Sequence, residues 1–118
     1  MDDFFRILTG TETSEGTWSY TVSINPEHDI FKGHFPGRPV VPGVMTLMLT
    51  RKCAEHAKGL GKTRICAVKD AKYISPITPD GVDVVITFSI DESLNIKAEV
   101  RSADGRDYTK IRMTLAQE

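Results

Sequence analysis

Ten residues, His34-Phe35-Pro36-Gly37-Arg38-Pro39-Val40-Val41-Pro42-Gly43, hold one histidine, three prolines and two glycines. Each proline fixes φ and removes a backbone donor, so the segment is neither a helix nor a central strand. A histidine titrates near ~6.5 and can hold or release a proton around neutral pH. The segment runs straight into an apolar stretch of helical character from Val44. Helix starts carry free N–H groups and the positive end of the helix dipole, which favour negative charge. A titratable group on stiff backbone beside such a position is suited to proton-transfer chemistry.

The other reactive side chains are less organised. His28 lies in Pro26-Glu27-His28-Asp29 and reads as a structural or surface residue, while His56 falls on the polar face of the helix end and reads as solvated. Three scattered histidines without a second ligand at metal spacing give no reason to propose a metal. Cys53 and Cys66 stand in apolar settings on an expected helix and strand and read as reduced, buried small hydrophobes. There is no glycine-rich nucleotide loop and no nucleophile elbow, so no nucleotide or flavin is expected either.

The elements that must position these groups follow from periodicity. Asp3 through Leu8 is expected to form a short helix. From Thr17 strict alternation places Trp18, Tyr20, Val22 and Ile24 on one face of a strand that Asn25-Pro26-Glu27 ends. Residues 26–43 form a long irregular segment, and loops of that length are usually functional or disordered. Phe31, Phe35 and Val40 argue against disorder. The helix runs from Val44 to about Lys58. Val44, Met45, Leu47, Met48 and Leu49 make its first part apolar all round, which implies burial on every side, and Gly59-Leu60-Gly61 stops it. Four more strands follow: Arg64 to Ile74, the alternating Val82–Ile90 and Leu94–Val100, and a last strand with Thr109, Ile111, Met113 and Leu115 on one face. Ala103-Asp104-Gly105 makes the final hairpin. One helix beside a run of antiparallel strands is an α+β fold with the sheet around the helix. Sheet edges left open would be covered by pairing in a dimer with one continuous sheet.

The chain of 118 residues fits one domain, residues 1–118. Its net charge of −1 argues against nucleic acid as the main partner. No apolar run is long enough to span a membrane, and the acidic N-terminus lacks a signal core, which makes the cytoplasm the expected location.

The segment Gly33-His34-Phe35-Pro36-Gly37-Arg38-Pro39-Val40-Val41-Pro42-Gly43-Val44-Met45 resembles the signature of the hot-dog-fold 3-hydroxyacyl-[acyl-carrier-protein] dehydratases of fatty acid synthesis. Ala71-Lys72-Tyr73, followed by Pro76-Ile77-Thr78-Pro79, is similar to that family's strand and turn after the central helix. The likeness covers about Trp18 to Leu115. It implies dehydration of a 3-hydroxyacyl thioester to the trans-2-enoyl product, in fatty acid, polyketide or aryl polyene synthesis. The implied partner is acyl carrier protein, whose phosphopantetheine arm belongs to the substrate, so the chain itself needs no cofactor. His34 matches the general base, and Gly43 matches the residue whose backbone N–H polarises the thioester carbonyl. Phe35, Pro36, Gly37, Val44, Met45 and Met48 are the candidate lining of the acyl site. Lys69, Lys72, Lys110, Arg112 and Arg38 are candidates for steering the acidic carrier.

One departure divides the possible activities. The family places an acidic residue fourteen positions after the histidine, and here that position is Met48. The next carboxylate, Glu55, lies about 10 Å further along the helix axis. The acid would then be atypical, with Thr46, His28 or a held water as candidates, or it would come from another dehydratase-like subunit in a hetero-dimer. In the family the histidine and the acid come from different chains. A homo-dimer, a binding subunit of impaired activity and a thioesterase-like protein are the alternatives.

Overall fold

The computed structural model describes residues 3–32 and 39–118. Among the described residues, six strands and one long helix follow in the order β1 (Phe5–Ser14), β2 (Thr17–Ile24), α1 (Gly43–Lys58), β3 (Thr63–Tyr73), β4 (Val84–Ile90), β5 (Asn95–Ser102) and β6 (Asp107–Gln117), with a 3-10 turn, Asp29–Phe31, before α1. The strands form one sheet in the order β1-β2-β4-β5-β6-β3, and every neighbouring pair is antiparallel.

The expected helix over Asp3 through Leu8 is instead the start of β1. Phe5–Ser14 pairs with β2 from Phe5 opposite Ile24 to Ser14 opposite Thr17, around the two-residue turn Glu15-Gly16. Six residues are too short to hold a helix against the ladder that Thr9, Thr11 and Thr13 can make, since β-branched residues suit strands. The residues just before β1 are fixed as well. Phe4 is buried, its carbonyl accepts the Asn25 N–H at 2.8 Å, and Asn25 Nδ2 donates to the Asp3 carbonyl at 2.9 Å.

The inner faces of the strands agree with the alternation. Tyr20, Val22 and Ile24 on β2, Val84, Ile86, Phe88 and Ile90 on β4, Ile96, Ala98 and Val100 on β5, and Ile111, Met113 and Leu115 on β6 are all buried. The helix lies on this face with Met45, Thr46, Leu49, Thr50, Cys53 and Ala54 buried. These are paired positions four residues apart, so they form one stripe rather than a full circumference. The expectation of burial on every side is therefore corrected. Val44 is 64% exposed, and Leu47 and Met48 are half-buried, because one sheet covers only one face of the helix.

Two further expectations change. Cys53 is fully buried, and burial pushes its thiol up to about 12, which leaves it an inert hydrophobe. Cys66, however, is exposed, because β3 is an edge strand paired only with β6. His56 is not simply solvated. Its Nδ1 lies 2.8 Å from the Tyr20 hydroxyl, which joins the end of α1 to β2. Gly10 makes room for this, since a Cβ there would stand 2.6 Å from the Tyr20 ring.

The far end of α1 is stapled to the strand that follows. Gly59 caps the helix in the left-handed conformation with φ 62°, and the Glu55 carboxylate accepts both the Thr63 N–H at 2.8 Å and the Thr63 hydroxyl at 2.6 Å. Thr63 is fully buried, so losing the carboxylate strands two buried donors. Glu55→Ala is expected to lower the unfolding free energy by roughly 1–3 kcal/mol. Urea denaturation would measure it, and an unchanged midpoint would show that the staple does not hold this end of the helix.

Candidate functional site

His34, Phe35, Pro36 and Gly37 lie outside the described residues, as does Arg38, but both flanks of their segment are anchored. On the near side, His28 caps the 3-10 turn, with Nδ1 accepting the Ile30 N–H at 3.0 Å. Its Nε2 stands 3.2 Å from an Asp3 carboxylate oxygen, and Phe4 packs edge-on against the ring. Both ring nitrogens are thus engaged locally, in keeping with a structural role. Phe31 closes the turn by burying its ring near that of Phe4.

On the far side the segment is tied to the turn after β3. The Val41 N–H donates to the Ile77 carbonyl at 2.8 Å, and both side chains are buried. The two stretches that resemble the dehydratase pattern are therefore in physical contact. Pro42 then takes the N-cap position with φ −60° and ψ 146°, and it has no side-chain acceptor to offer. The N–H groups of Met45 and Thr46 both reach the Pro42 carbonyl, at 2.9 and 3.4 Å. The N–H groups of Gly43 and Val44 have no acceptor among the described residues, and the first turn holds no acidic side chain. Such an end favours an anion or a developing oxyanion.

A cleft of about 430 Å³ opens at this helix start, lined by Val41, Gly43, Thr46, Tyr73, Ile77 and Thr109 among others. Thr46, 2% exposed, belongs to the wall that the helix contributes. Gly43, the candidate for polarising the carbonyl, borders this cleft; of the described candidates for the acyl lining, Met45 is buried in the core, Val44 faces outward and Met48 is half-buried one turn further along α1. Glu55 is committed to Thr63 at the opposite end of the helix.

Tyr73 is the residue that sequence reasoning noted only as part of a motif. Its ring end lies against Gly43: a Cβ built there would stand 2.8 Å from both Cζ and the hydroxyl oxygen. The residue is 51% exposed overall, yet its hydroxyl end is packed against the helix start, and burial there pushes the phenol above its ordinary range. Thirty residues separate Gly43 from Tyr73, and no periodicity connects them. The only available signal was that both lie in the two matching stretches.

The cationic candidates are dispersed. Arg112 Nε donates to Asp70 at 2.8 Å, and Lys110 lies 3.6 Å from Glu99. Lys69 and Arg112 border a separate cleft of about 580 Å³ beside the Glu15-Gly16 turn. That cleft shares no residue with the helix start.

Comparison with known proteins bears on the family and the fold. The family model of ApeI-like dehydratases matches residues 10–112. The chain is 29% identical over 120 residues to the 3-hydroxyacyl-[acyl-carrier-protein] dehydratase FabZ of Campylobacter fetus subsp. fetus, covering 91% of this chain and 77% of that protein. Among solved structures, a chain of the dehydratase heterocomplex ApeI:P from Xenorhabdus doucetiae superposes with a TM-score of 0.78 at 18% identity, over 95% of this chain and 97% of that one. The Escherichia coli PaaI protein superposes with a TM-score of 0.65 at 12% identity, over 99% of this chain and 81% of that one. These likenesses establish the hot-dog fold, a six-stranded antiparallel sheet with one central helix. No described helix is long and apolar enough to cross a membrane.

The close approach at Gly43 is directly testable. Alanine there meets only the far end of a half-exposed ring, which can swing outward, so Gly43→Ala is expected to cost less than about 1 kcal/mol of stability. It is also expected to displace the Tyr73 hydroxyl from the helix start. Thermal unfolding checks the first part. Increased solvent quenching of tyrosine fluorescence, absent when Tyr73→Phe is added, checks the second.

Proposed function

The chain belongs to the ApeI-like dehydratase family, and from that premise we propose that it dehydrates a 3-hydroxyacyl thioester, carried on an acyl carrier protein, to the trans-2-enoyl thioester. The observation that carries the proposal is the uncapped start of α1. Gly43 N–H has no acceptor among the described residues and borders an open cleft, where a thioester carbonyl can accept from it. His34 removes the proton from the carbon next to the carbonyl. Negative charge moves onto the carbonyl oxygen, where the Gly43 N–H and the helix dipole stabilise it. The electron pair then expels the 3-hydroxyl, which takes a proton and leaves as water.

That last proton is where a second subunit enters. Met48 cannot donate one, and the only carboxylate on α1, Glu55, already accepts from Thr63. We infer that the acid comes from another dehydratase-like subunit paired along the open edge at β3. The similarity to a chain of the ApeI:P heterocomplex supports this arrangement. The exposure of Val44, Val68, Tyr73 and Ile74 supports it too, since these leave an apolar surface beside that edge. Losing general acid assistance costs about 10²- to 10⁴-fold, so the chain alone would turn over slowly and the pair quickly.

Dehydration of a 3-hydroxyacyl carrier-protein thioester by the purified chain, read by mass spectrometry of the carrier, tests the proposal. His34→Ala is expected to abolish product, and Met48→Glu to raise the rate of the chain alone at least tenfold. Product formation unchanged in His34→Ala would overturn the assignment of the base. No gain from Met48→Glu in a folded variant would overturn the account of the missing acid.

A further inference from the structure

Tyr73 ends β3, where it pairs with Thr109 of β6. The N–H groups of the next two residues, Ile74 and Ser75, both donate to the Tyr108 carbonyl, at 2.7 and 3.2 Å. The backbone that carries the phenol is therefore pinned to the sheet. From this base the ring reaches across to Gly43, so close that a Cβ at that position would stand 2.8 Å from the hydroxyl oxygen. Glycine is what lets the phenol reach the helix start. The hydroxyl has no hydrogen-bond partner among the described residues, and the same cleft is lined by Gly43, Thr46 and Tyr73. Two kinds of donor thus stand side by side at the helix start: a backbone N–H with no acceptor among the described residues and a phenolic O–H.

We propose that Tyr73 is a catalytic residue whose hydroxyl donates a second hydrogen bond to the thioester carbonyl oxygen polarised by the Gly43 N–H, an inference that rests on the acyl-thioester reading above. A carbonyl oxygen has two lone pairs and can take both donors at once. Charge builds on that oxygen as the α-proton leaves, so a donor already in place stabilises the transition state more than the substrate. A phenol suits the task because it stays protonated at neutral pH and adds no charge to compete with His34. Burial, which pushes Tyr73 further above its ordinary range, keeps it in the donor form. A tyrosine present only to cover Gly43 would need the ring and not the oxygen, so phenylalanine separates the two roles.

The experiment compares wild type and Tyr73→Phe, each in the assembly in which the chain is purified. Turnover is measured on a 3-hydroxyacyl carrier thioester. In parallel, the carbonyl stretch of trans-2-butenoyl pantetheine thioester, isotopically labelled at the carbonyl carbon, is followed by difference infrared spectroscopy. Removing one such donor typically costs about 10²- to 10³-fold. Tyr73→Phe is expected to lower kcat at least tenfold with KM little changed. Binding to wild type is expected to move the carbonyl stretch to lower frequency, with part of that shift lost in Tyr73→Phe. An equal shift in both proteins, or no shift with wild type, overturns the role of Tyr73. A shift diminished in Tyr73→Phe, beside a wild type that makes no enoyl product, leaves the hydrogen bond standing and removes the dehydratase reading instead.

Discussion

One helix has to cover the apolar face of a six-stranded sheet, and the rest of the molecule is arranged around that demand. The stripe from Met45 to Ala54 supplies the helix side, and the buried residues of β2, β4, β5 and β6 supply the sheet side. Burying a side chain such as Leu49 or Phe88 contributes roughly 1.5–3 kcal/mol, so the position of α1 is set by the core and not by its loops. Its first turn is then delivered to a fixed place at the end of β3. The functional end of the helix has no need to stabilise itself locally, because the turns behind it are already held.

That division of labour explains the composition of the segment before the helix. Pro42 cannot cap and Gly43 brings no side chain, which would be poor choices if the helix start had to be self-sufficient. They are tolerable because the Val41–Ile77 hydrogen bond and the buried pair of side chains fix the entry of the chain. The cost of an uncapped start is met by packing elsewhere, and the N–H groups of Gly43 and Val44 keep no acceptor among the described residues. The same turn that anchors Val41 follows directly from Tyr73, so one short connection after β3 both holds the helix entry and places the phenol.

Much of this was legible in the sequence, and the failures have physical reasons. Alternation marked the inner faces of β2, β4, β5 and β6 because each is covered on one face only. The helix and its stop at Gly59 were legible through backbone chemistry. Asp3 through Leu8 was misread as a helix because six residues of mixed pattern cannot show which strand they will pair with. The burial expected for Cys66 failed because edge position is a property of the whole sheet order, and β3 is an edge only because β6 returns to pair with it on one side. Val44 was misplaced because an apolar run on a helix does not say how many of its faces a single sheet will cover. The approach of Tyr73 to Gly43 depends on the side-to-side placement of β3 and α1, which no local pattern encodes. The role of His34, by contrast, rests wholly on the sequence pattern, since it lies outside the described residues.

Charge along α1 gives the last step. A helix is stabilised by acidic groups at its start and basic groups at its end. Lys58 and His56 obey this in the last turn, but Glu55 stands close to them, where a carboxylate opposes the dipole. That conflict is resolved within the chain by two hydrogen bonds from Thr63 and by Arg51 and Lys52, which lie 3.8 and 3.9 Å away. The opposite end carries the complementary deficit: no acid in the first turn, a proline at the cap, and N–H groups without acceptors among the described residues. Nothing described compensates it. Of two departures from the same electrostatic rule, one is closed by structure and the other is left open, and the open one faces a cleft. On the dehydratase reading proposed above, a position left short of negative charge in this way suits a ligand that acquires negative charge only as it reacts. Such a ligand gains most from the helix start at the moment the bond to hydrogen breaks, which is when stabilisation accelerates a reaction and does not merely tighten binding.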